Sequence, residues 1–244
     1  MGPADRRALG SRGRPARRTA HPREEAAGGD RLNAKPEPVV LVHGLWLNGL
    51  EFFLLRDRLK TAGFAPTALR YSSMHESLQD ATSKLVKCLR TFGETAHVVA
   101  HSLGGVIAIE ALATAHGLPR GRVVLLGCPV RGSQAARAIA RWPIGMQVLG
   151  SLAAAELCRS CERRSPPDRE VGVISGTRSV GLGRLFAELP QPNDGTISVD
   201  ETHLPGASAR IVLDVSHTGM LFSTAVAKAT ATFLATGRFP ADSN

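Results

Sequence analysis

Val98-Val99-Ala100-His101-Ser102-Leu103-Gly104-Gly105 decides the reading of this chain. An apolar run ends in a serine and passes at once into a helix-forming segment, the pattern of a strand that turns sharply into a helix. On such a bend the places two before and two after the serine must be small, because backbone and Cβ atoms crowd there. Ala100 and Gly104 fill them, so the stretch reads as a nucleophile elbow with Ser102 as the candidate nucleophile. The plainer alternative is a serine in a tight turn of a noncatalytic protein.

A serine hydroxyl is a weak nucleophile near neutral pH. An imidazole must take its proton, and a carboxylate must hold that imidazole in the right tautomer. The fold that uses this elbow supplies them in the order carboxylate, then histidine, on loops after late strands. Asp194 lies in the turn-rich Pro192-Asn193-Asp194-Gly195-Thr196, after the strand-like Val171–Ser175. His217 follows the apolar run Ile211–Val215 and precedes a helix-like segment. Asp200 and Glu201 compete with Asp194 if their loop folds back, while Asp214 sits inside a strand run. A solvated loop carboxylate is the alternative for each. Of the other histidines, His43 and His101 are better read as supports of neighbouring loops, and His203 precedes the last strand.

Val39-Val40-Leu41-Val42-His43-Gly44-Leu45-Trp46 is a second buried-strand run, ending in His-Gly. Gly127-Cys128-Pro129-Val130-Arg131-Gly132-Ser133 follows a third strand. Together these stretches resemble the small α/β-hydrolases of the bacterial lipase and esterase type, including deacylase-like serine hydrolases. Gly127–Ser133 is similar to their Thr-Pro-His-x-Gly-Ser segment, with Cys128 and Val130 in place of Thr and His. Ala100 departs from the usual glycine, as it does in a few such lipases. The likeness spans about residues 37 to 236. It implies an oxyanion hole made by the backbone N–H groups of Leu45 and Leu103. Trp46 beside that loop and Met220 just after His217 are candidates to line the substrate pocket, with packing in the core as the alternative. The activity it implies is hydrolysis of carboxylic esters, acylglycerol, phospholipid or other lipid-like esters among them, through an acyl-enzyme. Thioester or amide hydrolysis, or acyl transfer, on the same triad stays open, as does a noncatalytic binding or scaffold protein that keeps the hydrolase shell.

At 244 residues and 43% hydrophobic content the chain can bury one substantial core, so residues 36–240 are expected to form a single α/β domain. No apolar run approaches the roughly 18 residues of a membrane span. The first 35 residues differ: nine Arg and Lys face four Asp and Glu, in a Gly- and Pro-containing stretch expected to be disordered. It lacks the apolar region of a secretory signal. Such a tail can attract anionic membrane, or it is simply a solvated extension. Four cysteines do not make the dense framework of a small secreted scaffold, so a reducing, cytoplasmic setting is the default. Cys158-Arg159-Ser160-Cys161 has no second half with metal-ligand spacing, and no His-Glu-x-x-His, phosphate-loop or dinucleotide motif occurs. The expectation is no metal, no cofactor and no nucleic-acid partner; the sequence is silent on oligomeric state.

Apolar runs predict six strands, at Val39–Val42, Ala65–Leu69, His97–Ala100, Arg122–Leu126, Val171–Ser175 and Arg210–Val215. Helical spacing predicts helices over Leu50–Ala62, Leu78–Phe92, Val106–Ala115 and Thr218–Ala235. Strand–helix alternation implies a mainly parallel sheet with helices on both faces. Residues 133–169, with helical patterns at Ala135–Trp142 and Gln147–Cys158, stand where the resembling enzymes insert a lid or cap.

Overall fold

Uninterrupted valine- and leucine-rich runs are what a strand needs when both of its faces are covered, and the central strands are built this way. The computed structural model describes residues 35–181, 183 and 188–241; positions 1–34 of the expected tail lie outside them. Six strands, β1 (Glu37–Val42), β2 (Phe64–Ala68), β3 (His97–His101), β4 (Val123–Leu126), β5 (Val171–Gly176) and β6 (Ala209–Leu213), form one sheet in the order β2-β1-β3-β4-β5-β6. Every pairing is parallel. β3, β4 and β5 are buried throughout, whereas the edge strands β2 and β6 alternate between buried and exposed positions. Pro66, which has no N–H to give a ladder, sits in edge strand β2.

Successive strand side chains point to opposite faces, and the core divides accordingly. Val40, Val98, Ala100, Val123 and Leu125 pack with helices α2 (Leu78–Leu89) and α3 (Leu103–Thr114) on one side. Val39, Leu41, Val99, Val124 and Leu126 pack with α1 (Phe53–Thr61) and α6 (Thr224–Thr236) on the other. Because α1 and α2 cover different faces, β2 and β3 flank β1 on opposite sides. The strand order therefore reverses at β1 and β3, and a crevice opens beyond their carboxyl ends. That topology brings the His43–Trp46 loop and Ser102 together.

Helix ends follow local chemistry. Ser77 caps α2 reciprocally with Asp80, each side chain accepting the other's backbone N–H. The helix expected over Thr218–Ala235 is instead divided: a 3-10 turn at Gly219–Leu221 precedes α6, because the Ser223 hydroxyl accepts from Val226 N–H and starts a new helix. α3 begins earlier than expected, directly after Ser102, and takes in both glycines of the elbow. Residues 133–169 hold α4 (Gln134–Ala140) and α5 (Gly145–Leu157), the latter interrupted at Gly150 with φ 72° and ψ 168°.

Candidate active site

Ser102 directly follows β3 in a backbone conformation unusual for a side-chain-bearing residue, φ 54° and ψ −125°. Its N–H donates to Leu126 O at 3.0 Å. The bend is possible because its neighbours lack side chains: a Cβ on Gly104 would lie 2.3 Å from Val42 O, and one on Gly44 2.9 Å from the Ser102 Cβ. The sequence requirement for small residues is thus a requirement for close approach between α3 and the end of β1.

The Asn193–Ile197 loop is organised around Asp194. One carboxylate oxygen accepts the N–H groups of Thr196 and Ile197 at 3.0 and 2.7 Å; the other accepts from His217 Nδ1 at 2.7 Å. The carboxylate is 1% exposed, so these three donors replace the water it has lost. A main-chain bond, His217 N–H to Asp194 O at 2.9 Å, ties the two loops together. With Nδ1 donating to the carboxylate, the unprotonated nitrogen of a neutral His217 is Nε2. Gly127, at the end of β4 with φ 55°, leaves room for the pair: a Cβ there would stand 3.0 Å from Asp194 and 3.1 Å from His217 Nδ1. Sequence reasoning did not assign Gly127 this place, although a glycine closing a buried strand was the available signal.

His101 packs beneath His217, ring centroids 4.7 Å apart, and donates from Nε2 to the His217 carbonyl at 3.1 Å. Burial, aided by the neighbouring His217, pushes its pKa down to about 3, so it is neutral at ordinary pH.

Ser102 and His217 both line one cavity of about 230 Å³, although among the described residues no direct hydrogen bond joins them. Leu45, Trp46, Ala136, Ile139, Leu149 and Leu157 contribute its apolar wall. Neither the Leu45 nor the Leu103 N–H donates to another described residue. Met220 is not in the wall. The 3-10 turn carries it under the sheet, where it is fully buried with Leu221 and Val226, which corrects the expectation that it meets substrate. The α4 residues Ala136 and Ile139 were missed because generic apolar positions carry no local sign of what they face.

The rival carboxylates are engaged elsewhere. Asp200 pairs with Arg131 and Asp214 with Arg178, both at the surface, while Glu201 accepts from Gln134 N–H and Ser198 N–H. A larger cleft of about 830 Å³ lies at the opposite ends of the strands, around His97, Arg122 and Arg169. Its groups serve the fold: Arg122 pairs with Glu170, and Arg169 donates to the carbonyls of Ala96, Pro119 and Gly121. Among the described residues no group of three or more His, Cys, Asp or Glu could hold a metal, and no helix is long and apolar enough to cross a membrane. Cys158 and Cys161 are free thiols.

The fold is similar to several solved structures. A Bacillus licheniformis lipase in its propeptide form superposes with a TM-score of 0.65 at 19% identity, over 77% of this chain and 47% of that one. The chain thus spans about half the length of that lipase. A Bacillus subtilis carboxylesterase gives 0.53 at 13% identity, over 84% and 85% of the two chains. A Paleococcus ferrophilus monoacylglycerol lipase gives 0.52 at 17% identity, over 83% and 97%. Among curated proteins none matches the sequence significantly. The sequence pattern of the alpha/beta hydrolase family, however, matches residues 39–231, most of the chain and every element around the cavity but the start of β1, and the chain belongs to that family.

Proposed function

We propose that this chain is a serine hydrolase of carboxylic esters that works through an acyl-enzyme. The observation that carries the reading is the buried Asp194–His217 pair, held at 2.7 Å on a wall of the same cavity that the strained Ser102 lines. His217 Nε2 takes the Ser102 proton as Oγ attacks the ester carbonyl. The carbonyl electrons move to oxygen, where the Leu45 and Leu103 N–H groups meet the developing charge; each such donor is worth roughly 10²–10³ in rate. His217 then hands its proton to the departing alcohol. Water, deprotonated by the same nitrogen, releases the acid and restores Ser102. Asp194 holds the imidazole and stabilises its cation without taking the proton. Serine–histidine contacts are often long before substrate arrives, and they tighten in the reacting complex.

The substrate reading is an ester with an apolar acyl group, because Leu45, Ala136, Ile139, Leu149 and Leu157 make the apolar wall of the cavity. The lipase and esterase structures with the same fold support the ester class.

Labelling with a fluorophosphonate, followed by a panel of p-nitrophenyl esters, acyl-thioesters and anilides, tests both parts. Labelling that Ser102→Ala abolishes, with fastest turnover on p-nitrophenyl esters, is the expected result. No labelling of the folded protein, or labelling that survives Ser102→Ala, overturns it.

A further inference from the structure

Among the described residues two non-glycine positions have a left-handed backbone, Ser102 and Trp46. The first belongs to the elbow. The second, at φ 61°, follows directly on Leu45. A bulky side chain is a poor occupant of that region, and such outliers persist where surrounding contacts hold them. Burial does not account for this one, since Trp46 remains 45% exposed.

Two hydrogen bonds hold it instead. Its backbone N–H donates to Ser73 Oγ at 3.2 Å, and its indole Nε1–H donates to Val148 O at 2.8 Å. Val148 lies in the first half of α5, beside the interruption at Gly150. A Cβ on Gly150 would lie 2.7 Å from Met74 O, so this half-helix rests against the same loop that provides Ser73. Trp46, the Ser73–Met74 loop and the start of α5 therefore close a ring of contacts. On the other side of Leu45 the chain is equally fixed. Tyr71 OH donates to His43 O at 2.6 Å, their rings stack 4.1 Å apart, and Gly44 packs on Ser102. Leu45 is thus suspended between two anchored residues, with its N–H free of other described partners.

We propose that Trp46 is a positioning residue: its indole N–H, bonded to Val148 O, holds the left-handed turn that aims the Leu45 N–H at the oxyanion. This rests on Ser102 being the nucleophile. The cap helix α5 thereby acts on the chemistry itself and does not merely roof the cavity.

Trp46→Phe keeps an aromatic ring and removes the donor. The measurements are kcat and KM for an oxygen ester and for the matching thionoester, whose larger sulfur is a weaker hydrogen-bond acceptor. A well-aimed donor favours the oxygen ester, so the ratio of the two rates reports its placement, and a loss of packing alone leaves that ratio unchanged. The expected result is kcat on the oxygen ester lower by about 10-fold or more, part of what a whole oxyanion donor supplies. KM stays within about threefold, and the oxygen-to-sulfur ratio falls. Ser73→Ala, which removes only the backbone anchor, is expected to move the ratio the same way by less, and it serves if Trp46→Phe does not fold. An unchanged ratio in the folded variants overturns the proposal while leaving Ser102 as nucleophile. A wild-type protein that neither hydrolyses esters nor reacts with fluorophosphonate overturns both.

Discussion

The elbow at Ser102 and the α4–α5 segment, where the sequence leads one to expect a cap, line the same cavity, yet they are built by different rules. The elbow is fixed by backbone crowding: Gly44, Gly104 and Gly127 stand where an added Cβ would strike Ser102, the end of β1, or the Asp194–His217 pair. The cavity face of the cap is instead made of interchangeable apolar side chains, Ala136, Ile139, Leu149 and Leu157. The first arrangement tolerates almost no change of residue, and the second tolerates many with a change of shape. Chemistry is therefore expected to depend on the first region and selectivity on the second.

The largest effect should come from the charge at the heart of the first region. Asp194→Asn keeps the shape but presents an amide donor to His217 Nδ1, favouring the wrong tautomer; kcat on a short ester should fall by about 10⁴-fold with the protein still folded. Steady-state kinetics with circular dichroism checks this, and a loss under 10-fold would remove Asp194 from its role. Next comes crowding. A Cβ at Gly105 would lie 2.2 Å from Cys128 Sγ, so Gly105→Ala should cost about 1–3 kcal/mol in urea unfolding. Combining it with Cys128→Gly should cost less than the sum of the two single changes, as expected for a shared clash.

His101 sharpens the comparison through pH. Below the ordinary imidazole value near 6.5 the unfolded chain protonates this residue while the folded chain, with its pKa about 3, does not, so acid favours unfolding. Between pH 8 and pH 5 the difference is worth about 2 kcal/mol. Buried His97, whose pKa is also lowered chiefly by desolvation, adds in the same direction. Urea midpoints at pH 8 and pH 5 should separate less in His101→Asn than in wild type; an equal separation contradicts the assignment. The smallest effect belongs to the cap. Ala136→Leu should lower kcat/KM for hexanoate relative to acetate by about 10-fold, a few methylenes' worth of lost space, with acetate turnover little altered.

The same contrast explains what could be read from the sequence. The central strands are legible because unbroken valine and leucine runs have few alternatives. Ser102 stands out by the small residues two before and two after it, Asp194 by its turn-rich loop, and His217 because it follows the last apolar run. The structure then pairs Asp194 directly with His217. Met220 misled because nearness along the chain to His217 says nothing about direction; one 3-10 turn sends it beneath the sheet. The split of the last helix turned on the single hydroxyl of Ser223. The tie from Trp46 to Val148 spans 102 residues and ends on a carbonyl, which no side-chain pattern encodes.

The order of parts along the polypeptide has a consequence for synthesis. Ser102 and both candidate oxyanion amides precede the cap, whereas Asp194 and His217 follow it, and the two portions meet along the β4–β5 seam, with Leu126 beside Ile174. A nascent chain that has emerged only as far as α5 carries Ser102 without the Asp194–His217 pair that the proposed mechanism uses. On the proposed mechanism, ester hydrolysis therefore requires β5 and β6 to have joined the sheet.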